Sequence, residues 1–236
     1  MLIKEEKFQN LYKSYIIIKN KKFSHQIGQS MQIDSVYADD LSSEDLKERI
    51  SSIKIPDEIN AIFAIAYVDH TRGLSFFTLS IASVNGKSVD IFKREDFSAL
   101  SIFRKSEVND CEFEYLENLD CNGEFDIKTY EEFAKIIDNY HVNDNVETLR
   151  QQDWMNKSRN ADYPDDVIVQ FIKKDFEVEG MWVRYEDIDE DGFIKGELLN
   201  TPYQDFGIKS GDTVEIFPYE LDEETIILVC DLNKRE

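Results

Sequence analysis

The side chains best suited to chemistry in this sequence lie in an acidic run in the last third of the chain. Five residues match positions one, three, five, six and eight of an EF-hand calcium loop, namely Asp187, Asp189, Asp191, Gly192 and Ile194. The match then fails, because position nine is Lys195 and position twelve, where a bidentate glutamate is required, is Leu198. The flanking residues also follow the pattern of strands, whereas an EF-hand needs helices. We therefore interpret the run as an acidic β-turn, for which Asp191-Gly192 is favourable chemistry.

The same turn is the candidate binding surface of the chain. With the preceding residue it places five acids within six positions, namely Glu186, Asp187, Asp189, Glu190 and Asp191. So many neighbouring like charges destabilise one another unless salt or a cation offsets them. Two uses of the turn stay open: contact with a basic protein partner, and a metal- or small-ligand-binding module or enzyme. No cofactor and no set of metal ligands is assigned.

Trp182 is the other candidate for partner binding. It stands between Met181 and Val183, so strand alternation predicts that its side chain points to the opposite face from both. A tryptophan in a small module usually belongs to the core. An exposed tryptophan, however, is the kind of residue that anchors a protein interface. Both interpretations stay open.

No catalytic centre is predicted. His25, His70 and His141 are far apart and have different neighbours, so no His-Asp-nucleophile set or zinc site follows from them, although distant residues can meet in a fold. The acid pairs Asp165-Asp166 and Glu223-Glu224 are expected to be solvated, whereas general acid–base catalysis needs burial to shift a pKa. The sequence also lacks P-loop, GxGxxG, GxSxG and HExxH motifs. An enzyme is therefore the less favoured class.

Strands dominate the expected fold. In the N-terminal part, apolar runs rich in β-formers predict strands over 12–19, 62–68, 74–81, 89–92 and 113–116. The turn at 71–73 and the hairpin signal Asn85-Gly86 join three of these strands into an antiparallel meander. In the C-terminal part, five short strands over 167–172, 180–185, 193–199, 213–217 and 225–230 predict a small barrel or a highly curved sheet.

Helices are expected between these strands. The capping boxes Ser42-x-x-Asp45 and Thr129-x-x-Glu132 each begin one, and the second has an apolar face formed by Tyr130, Phe133, Ile136 and Ile137. Residues 97–103 are interpreted as a short helix, and 143–160 as a polar helix or linker before a break at 160–165. The expected fold class is α+β. An α+β domain with an antiparallel sheet covers 1–158, and a small β-rich domain covers 159–236.

The C-terminal domain also carries three ordered motifs. They are Gly180-Met181-Trp182-Val183, Gly196-Glu197-Leu198-Leu199-Asn200-Thr201-Pro202 and Lys209-Ser210-Gly211-Asp212-Thr213-Val214. Together with Val169-Gln170-Phe171, they resemble the bacterial family catalogued as domain of unknown function 2314, over about residues 160–232. The resemblance implies a fold unit and a bacterial source, and no activity. Members often end on an Ile-Ser-Asp-Trp type sequence where this chain has Tyr219–Glu224, so no role of that tryptophan carries over.

Charge restricts the partners that this chain can have. Its 236 residues include 49 acids and 27 bases, a formal net charge of -22, and 42% of the residues are hydrophobic, which is typical of a folded protein. Residues 161–236 alone hold 21 acids and 7 bases, a net charge of -14. A chain this anionic repels nucleic acids and anionic lipids and attracts basic surfaces. We therefore expect neither nucleic-acid nor membrane binding.

The compartment and the function follow as hypotheses. Cys111, Cys121 and Cys230 are odd in number and lack metal-like spacing, and no signal peptide or membrane span is evident, so we expect a cytoplasmic protein. The favoured function is a non-enzymatic interaction protein. In its specific form, it is an immunity or antitoxin-like inhibitor that binds a basic toxin domain through an acidic face. A further alternative is that the N-terminal domain recognises the partner and the C-terminal module only stabilises it.

Overall fold

The chain folds into two compact units. A computed structural model describes residues 1–19, 59–92, 101–123, 125–222 and 225–235. The first unit consists of Met1–Asp69 and Leu74–Tyr140, and the second of His70–Gly73 and His141–Glu236. The units therefore divide between Tyr140 and His141, earlier in the chain than the boundary expected at 158–159. None of the helices in the described ranges is long and apolar enough to cross a membrane.

An open sheet forms the centre of the first unit. Its strands are β1 (Tyr15–Lys19), β2 (Ala61–Asp69), β3 (Gly73–Asn85), β4 (Ser88–Ile91), β5 (Ile102–Arg104), β6 (Glu112–Tyr115) and β7 (Asp120–Cys121). They lie in the order β6-β1-β2-β3-β4-β7, and β5 also pairs with β3. The pairs β1–β2, β1–β6, β3–β4 and β3–β5 are antiparallel, and β4–β7 is parallel. The expected arrangement of β2, β3 and β4 as neighbouring strands is confirmed.

Strand β2 is buried along its whole length because both faces of the sheet are covered. Ile62, Ala64, Ala66 and Val68 belong to one apolar cluster. The alternate residues Ala61, Phe63, Ile65 and Tyr67 belong to another. Successive side chains of a strand point to opposite faces of the sheet. Because both faces are buried here, the sequence of β2 is almost continuously apolar.

Short helices complete the first unit. They are α1 (Phe8–Leu11), α2 (Lys105–Val108) and α3 (Lys128–Ala134), with 3-10 turns at Ile3–Glu5, Leu116–Asn118 and Lys135–Tyr140. Two details of the helix prediction are wrong. Ile102 and Phe103 lie in a strand, and Phe133 is 40% exposed, because Tyr130 and Ala134 are the residues that α3 buries. The helix expected after Ser42, and residues 93–100, lie outside the described ranges.

The second unit is a closed barrel. It contains α4 (Asp144–Arg150), a 3-10 turn at Asp153–Lys157, the strands β8 (Asp166–Ile172), β9 (Glu179–Ile188), β10 (Ile194–Leu198), β11 (Thr213–Asp222) and β12 (Thr225–Asp231), and a 3-10 turn at Leu232–Arg235. The strand order is β10-β11-β12-β8-β9. Only the β12–β8 pair is parallel. Of the two expected arrangements of five strands, a small barrel and a highly curved sheet, the structure has the barrel, and the α+β fold class is confirmed.

The barrel core includes residues that precede the expected domain boundary at 158–159. Inward-facing strand residues such as Val169, Val183 and Ile216 pack together with Val146, Leu149 and Met155, all of which are buried. Of the two interpretations of segment 143–160, the helix is confirmed over Asp144–Arg150, and the linker is wrong because α4 and the following 3-10 turn contribute to the barrel core. Cys230 is buried in the same core, and the described cysteines Cys111, Cys121 and Cys230 form no disulfide.

Candidate functional site

Strand β9 positions the first candidate residues. Met181, Val183 and Tyr185 are buried in the barrel core, whereas Trp182 and Glu186 alternate with them on the outward face and are partly exposed. The predicted direction of Trp182 is thus confirmed, and the side chain is not part of the barrel core.

Trp182 has a fixed backbone because the three sequence motifs meet around it. Its N–H donates to Oδ1 of Asn200 at 2.7 Å, and its carbonyl accepts a bond from Leu199 N at 2.9 Å. In the next segment, Gly211 N donates to the carbonyl of Leu198 at 2.8 Å, and Oδ2 of Asp212 accepts a bond from Lys209 N at 2.9 Å. The motif residues therefore hold the loops between strands, and they leave the indole ring facing outward.

The acidic turn joins β9 to β10, and one of its own carboxylates holds it in shape. Oδ1 of Asp189 accepts bonds from the backbone N–H groups of Asp191 at 3.1 Å and Phe193 at 2.9 Å. Gly192 adopts a φ of 85°, a conformation that only glycine adopts at no steric cost. The interpretation as a β-turn between strands is confirmed.

The base of the turn is held by two further acids. Oε2 of Glu186 lies 3.1 Å from Nε2 of His70, and the backbone carbonyl of Glu186 accepts a bond from Nδ2 of Asn143 at 3.0 Å. Oδ1 of Asp187 accepts bonds from Nδ2 of Asn145 at 2.6 Å and from Ile188 N at 2.9 Å, which lower the pKa of this carboxyl. Glu190 and Asp191 are exposed at the tip. Three acids thus fix the turn and two project from it.

These positions argue against a calcium loop. Leu198, where the bidentate glutamate would stand, is buried in the barrel core, and the carboxylate of Asp189 is used by backbone N–H groups. Among the residues that the structure describes, no group of three or more His, Cys, Asp or Glu side chains is placed to hold a metal ion.

A buried ionic cluster lies beside the base of the turn, and its centre is Asp165, which is only 1% exposed. Arg150 reaches both of its oxygens, with Nε 3.0 Å from Oδ1 and Nη2 2.6 Å from Oδ2. The Tyr185 hydroxyl donates to Oδ1 at 2.9 Å, and Nδ1 of His70 lies 2.7 Å from Oδ2. Burial alone would raise the pKa of Asp165, but the bonds from Arg150 and His70 lower it to about 2.

The cluster corrects the expectation that Asp165-Asp166 is solvated. Asp166 is also buried, and it accepts two bonds from Arg184, one from Nε at 2.7 Å and one from Nη2 at 3.0 Å. The isolated sequence gave no sign of this burial, because each carboxylate is paired with an arginine that is distant in sequence. Of the other residues singled out, His141 is exposed next to Asp144, whereas His25 and Glu223-Glu224 lie outside the described ranges.

His70 has no nucleophile to activate within this cluster. In a catalytic triad, one ring nitrogen of the histidine contacts an acid and the other contacts a hydroxyl or thiol. Here both ring nitrogens contact carboxylates, those of Asp165 and Glu186. Burial lowers the pKa of His70, but the bonds to these two acids raise it above its ordinary value overall. The geometry is that of an imidazolium that bridges two acids, and it stabilises the turn.

Sequence reasoning missed Arg150, Asn143 and Asn145, all of which lie on or before α4. A signal was present, because Val146 and Leu149 have the spacing of one helix face and Asn143 is an N-cap residue whose Oδ1 accepts a bond from Val146 N at 2.8 Å.

Fold and site together define an α+β protein with an open sheet, a closed five-stranded barrel and an acidic turn on the barrel. No protein-family model matches the chain, and neither the curated proteins nor the solved structures contain a match.

Proposed function

We propose that this chain is a non-enzymatic, cytoplasmic interaction protein whose barrel unit presents an acidic surface to a basic protein partner, in the manner of a bacterial immunity protein or antitoxin. The observation that carries the proposal is that the acids of the turn have two different roles. Glu186, Asp187 and Asp189 are engaged in holding its shape, and Glu190 and Asp191 project from it. A charged surface that is already ordered loses little conformational entropy when it binds.

The distribution of charge supports the same function. Two arginines of the barrel unit, Arg150 and Arg184, are engaged with Asp165 and Asp166. They therefore compensate buried acids, and Glu190 and Asp191 of the turn remain as outward negative charge. The electrostatic field of these exposed acids accelerates association with a basic protein and favours a basic partner over acidic proteins.

Trp182 supplies the apolar part of the proposed surface. It lies on the outward face of the same strand as Glu186, four residues and therefore roughly 13 Å away at the rise of a strand. Tryptophan is the residue type most enriched among those that dominate interface energies. The proposed contact thus combines an aromatic anchor with a charged rim.

The test is capture of the protein encoded by the neighbouring gene, with this full chain as bait at low salt. We expect a complex that the double variant Glu190→Lys/Asp191→Lys weakens about tenfold, because it reverses two exposed charges without removing a bond that shapes the turn. The matched control is Glu117→Lys/Asp120→Lys, which reverses two exposed acids of the first unit. Absence of a complex at low salt, or equal weakening by both double variants, contradicts the proposal.

A further inference from the structure

The β11–β12 hairpin is longer than the barrel needs. Pairing of β11 with β10 ends at Ile216, opposite Ile194, and pairing of β12 with β8 covers only Val229–Asp231. Beyond these points β11 and β12 pair with each other, from Pro218 opposite Leu228 to Asp222 opposite Thr225. We call the segments Pro218–Asp222 and Thr225–Leu228 the ribbon.

The charge of this region has one sign. Between Ser210 and Asn233 the sequence contains no lysine, arginine or histidine. The same stretch holds seven acids, namely Asp212, Glu215, Glu220, Asp222, Glu223, Glu224 and Asp231. Glu220 and Asp222 lie on the ribbon, and Glu223 and Glu224 stand between its two segments in the sequence, so positive charge on a partner favours contact with the ribbon.

Apolar side chains are exposed on the same ribbon. Tyr219 is 53% exposed and Leu221 is 62% exposed, and Ile226 and Ile227 are half-buried. Because Tyr219 lies opposite Ile227 and Glu220 opposite Ile226, one face of the ribbon carries Tyr219 and Ile227, and the other carries Ile226 beside the carboxylate of Glu220. Exposed apolar groups rimmed by charge are typical of protein interaction sites.

The two edges of the ribbon differ in how well they are protected against pairing with a further β-strand. The β11 edge contains Pro218 and an irregularity in register between Glu220 and Asp222, and prolines and bulges both discourage the addition of another strand. The β12 edge over Thr225–Leu228 contains no proline and no charge, and its described pairing is with β11 alone. Among the described residues, β11 is the strand that pairs with Thr225–Ile227, whose side chains are half-buried, whereas Leu228 is buried in the barrel core.

We propose that the β12 edge accepts an extended basic segment of the partner protein by β-strand addition. Backbone bonds to Thr225–Leu228 supply the pairing, as in other complexes that extend a sheet. Alternate residues of the segment place lysine or arginine on the face of Glu220 and apolar side chains on the face of Tyr219 and Ile227. A basic segment is favoured over a second copy of this chain, because a second ribbon would bring its own Glu220 and Asp222 next to the same two acids.

This inference rests on the proposed function, since it takes the chain to be a receptor for a basic partner. The probe is a short labelled peptide in which lysine and valine alternate, titrated against the full chain by fluorescence anisotropy at about 0.15 M salt to screen non-specific attraction. We expect binding, with at least about tenfold weaker affinity for the same peptide carrying a central proline. We also expect slower amide hydrogen exchange over Thr225–Leu228 when the alternating peptide is bound.

The matched variants are Leu221→Lys and Val178→Lys. These side chains are 62% and 61% exposed in the same unit, so each variant adds one equivalent charge. Leu221→Lys, on the ribbon, is expected to weaken the alternating peptide about tenfold, and Val178→Lys, in the β8–β9 loop, less than about threefold. No binding, equal affinity for the proline peptide, or equal effects of the two variants overturns the inference.

The outcomes also separate this inference from the proposed function. If Leu221→Lys leaves capture of the neighbouring-gene product unchanged while Glu190→Lys/Asp191→Lys abolishes it, the ribbon is not the docking edge and the function stands. If the alternating peptide protects Thr225–Leu228 but no basic protein is captured, the ribbon accepts strands and the proposed function is wrong.

Discussion

Asp165 is a buried carboxylate whose hydrogen-bond partners come from three distant parts of the chain: His70, Arg150 and Tyr185. Removing a charge from water costs several kcal/mol per ion, and only well-placed partners offset that cost. Here the oxygens receive an arginine fork, a phenol and an imidazole, so the charge is compensated within the fold. The cluster is therefore a structural feature of the barrel unit, and through His70 it also holds Glu186 at the base of the acidic turn.

The bridge made by His70 gives a pH-dependent contribution to stability. The pKa of His70 is raised in the folded protein above the ordinary value of 6.5, so its contribution is fully present below pH 6.5 and is lost as the pH rises through the folded pKa. We expect His70→Gln to lower the free energy of unfolding most below pH 6.5 and progressively less above it. Urea unfolding at a series of pH values measures this difference.

His141→Gln is the control for this experiment, because His141 is exposed and lies next to a fully exposed acid, Asp144. Its effect on the free energy of unfolding is expected to stay within about 0.5 kcal/mol at every pH. A His70→Gln effect that grows with rising pH would show that the imidazolium does not stabilise the fold.

At the scale of elements, β9 and β10 pack closely against each other at Gly196. A Cβ at this position would lie 2.5 Å from the carbonyl oxygen of Arg184 and 2.5 Å from Cγ1 of Val183. The register between the strands also shifts between Lys195 and Gly196. Glycine is thus required by close packing of two strands, at the start of the second sequence motif.

We expect Gly196→Ala to destabilise the protein by about 1–3 kcal/mol, because the added methyl group forces the strands apart. Gly180→Ala on β9 is the matched control, since its Cβ would meet side-chain atoms of Gln170 and Ile168 at 3.5 Å, an ordinary contact. Its effect is expected to stay within about 0.5 kcal/mol. Chemical unfolding of both variants gives the comparison, and equal losses would contradict the packing argument.

At the scale of the whole molecule, the barrel unit begins before its first strand. Val146, Leu149 and Met155 are buried in the barrel core, and Arg150 compensates Asp165. A fragment that starts at the break at 160–165 loses all four side chains. The acidic turn also loses Asn143 and Asn145, which hold its base.

We therefore expect the fragment 141–236, which lacks His70 but keeps the bonds of Arg150 and Tyr185 to Asp165, to unfold cooperatively and the fragment 159–236 not to fold. Losing three large core side chains costs about 2–5 kcal/mol each, which exceeds the stability of a small domain when added together. Thermal unfolding followed by near-ultraviolet circular dichroism distinguishes the two fragments. A cooperative transition in 159–236 would place the start of the barrel unit later than we infer.

The sequence by itself predicted most of the strands and the acidic turn, and it left a small barrel and a highly curved sheet as alternatives. Alternation predicted that Trp182 faces away from Met181 and Val183, and Asp191-Gly192 predicted the hairpin, because both depend on residues that are neighbours in the chain. Tertiary structure decided that Asp165 and Asp166 are buried and that α4 belongs to the barrel. The physical reason is that burial of a charge depends on its partners in space, and His70 meets Asp165 across 95 positions of sequence.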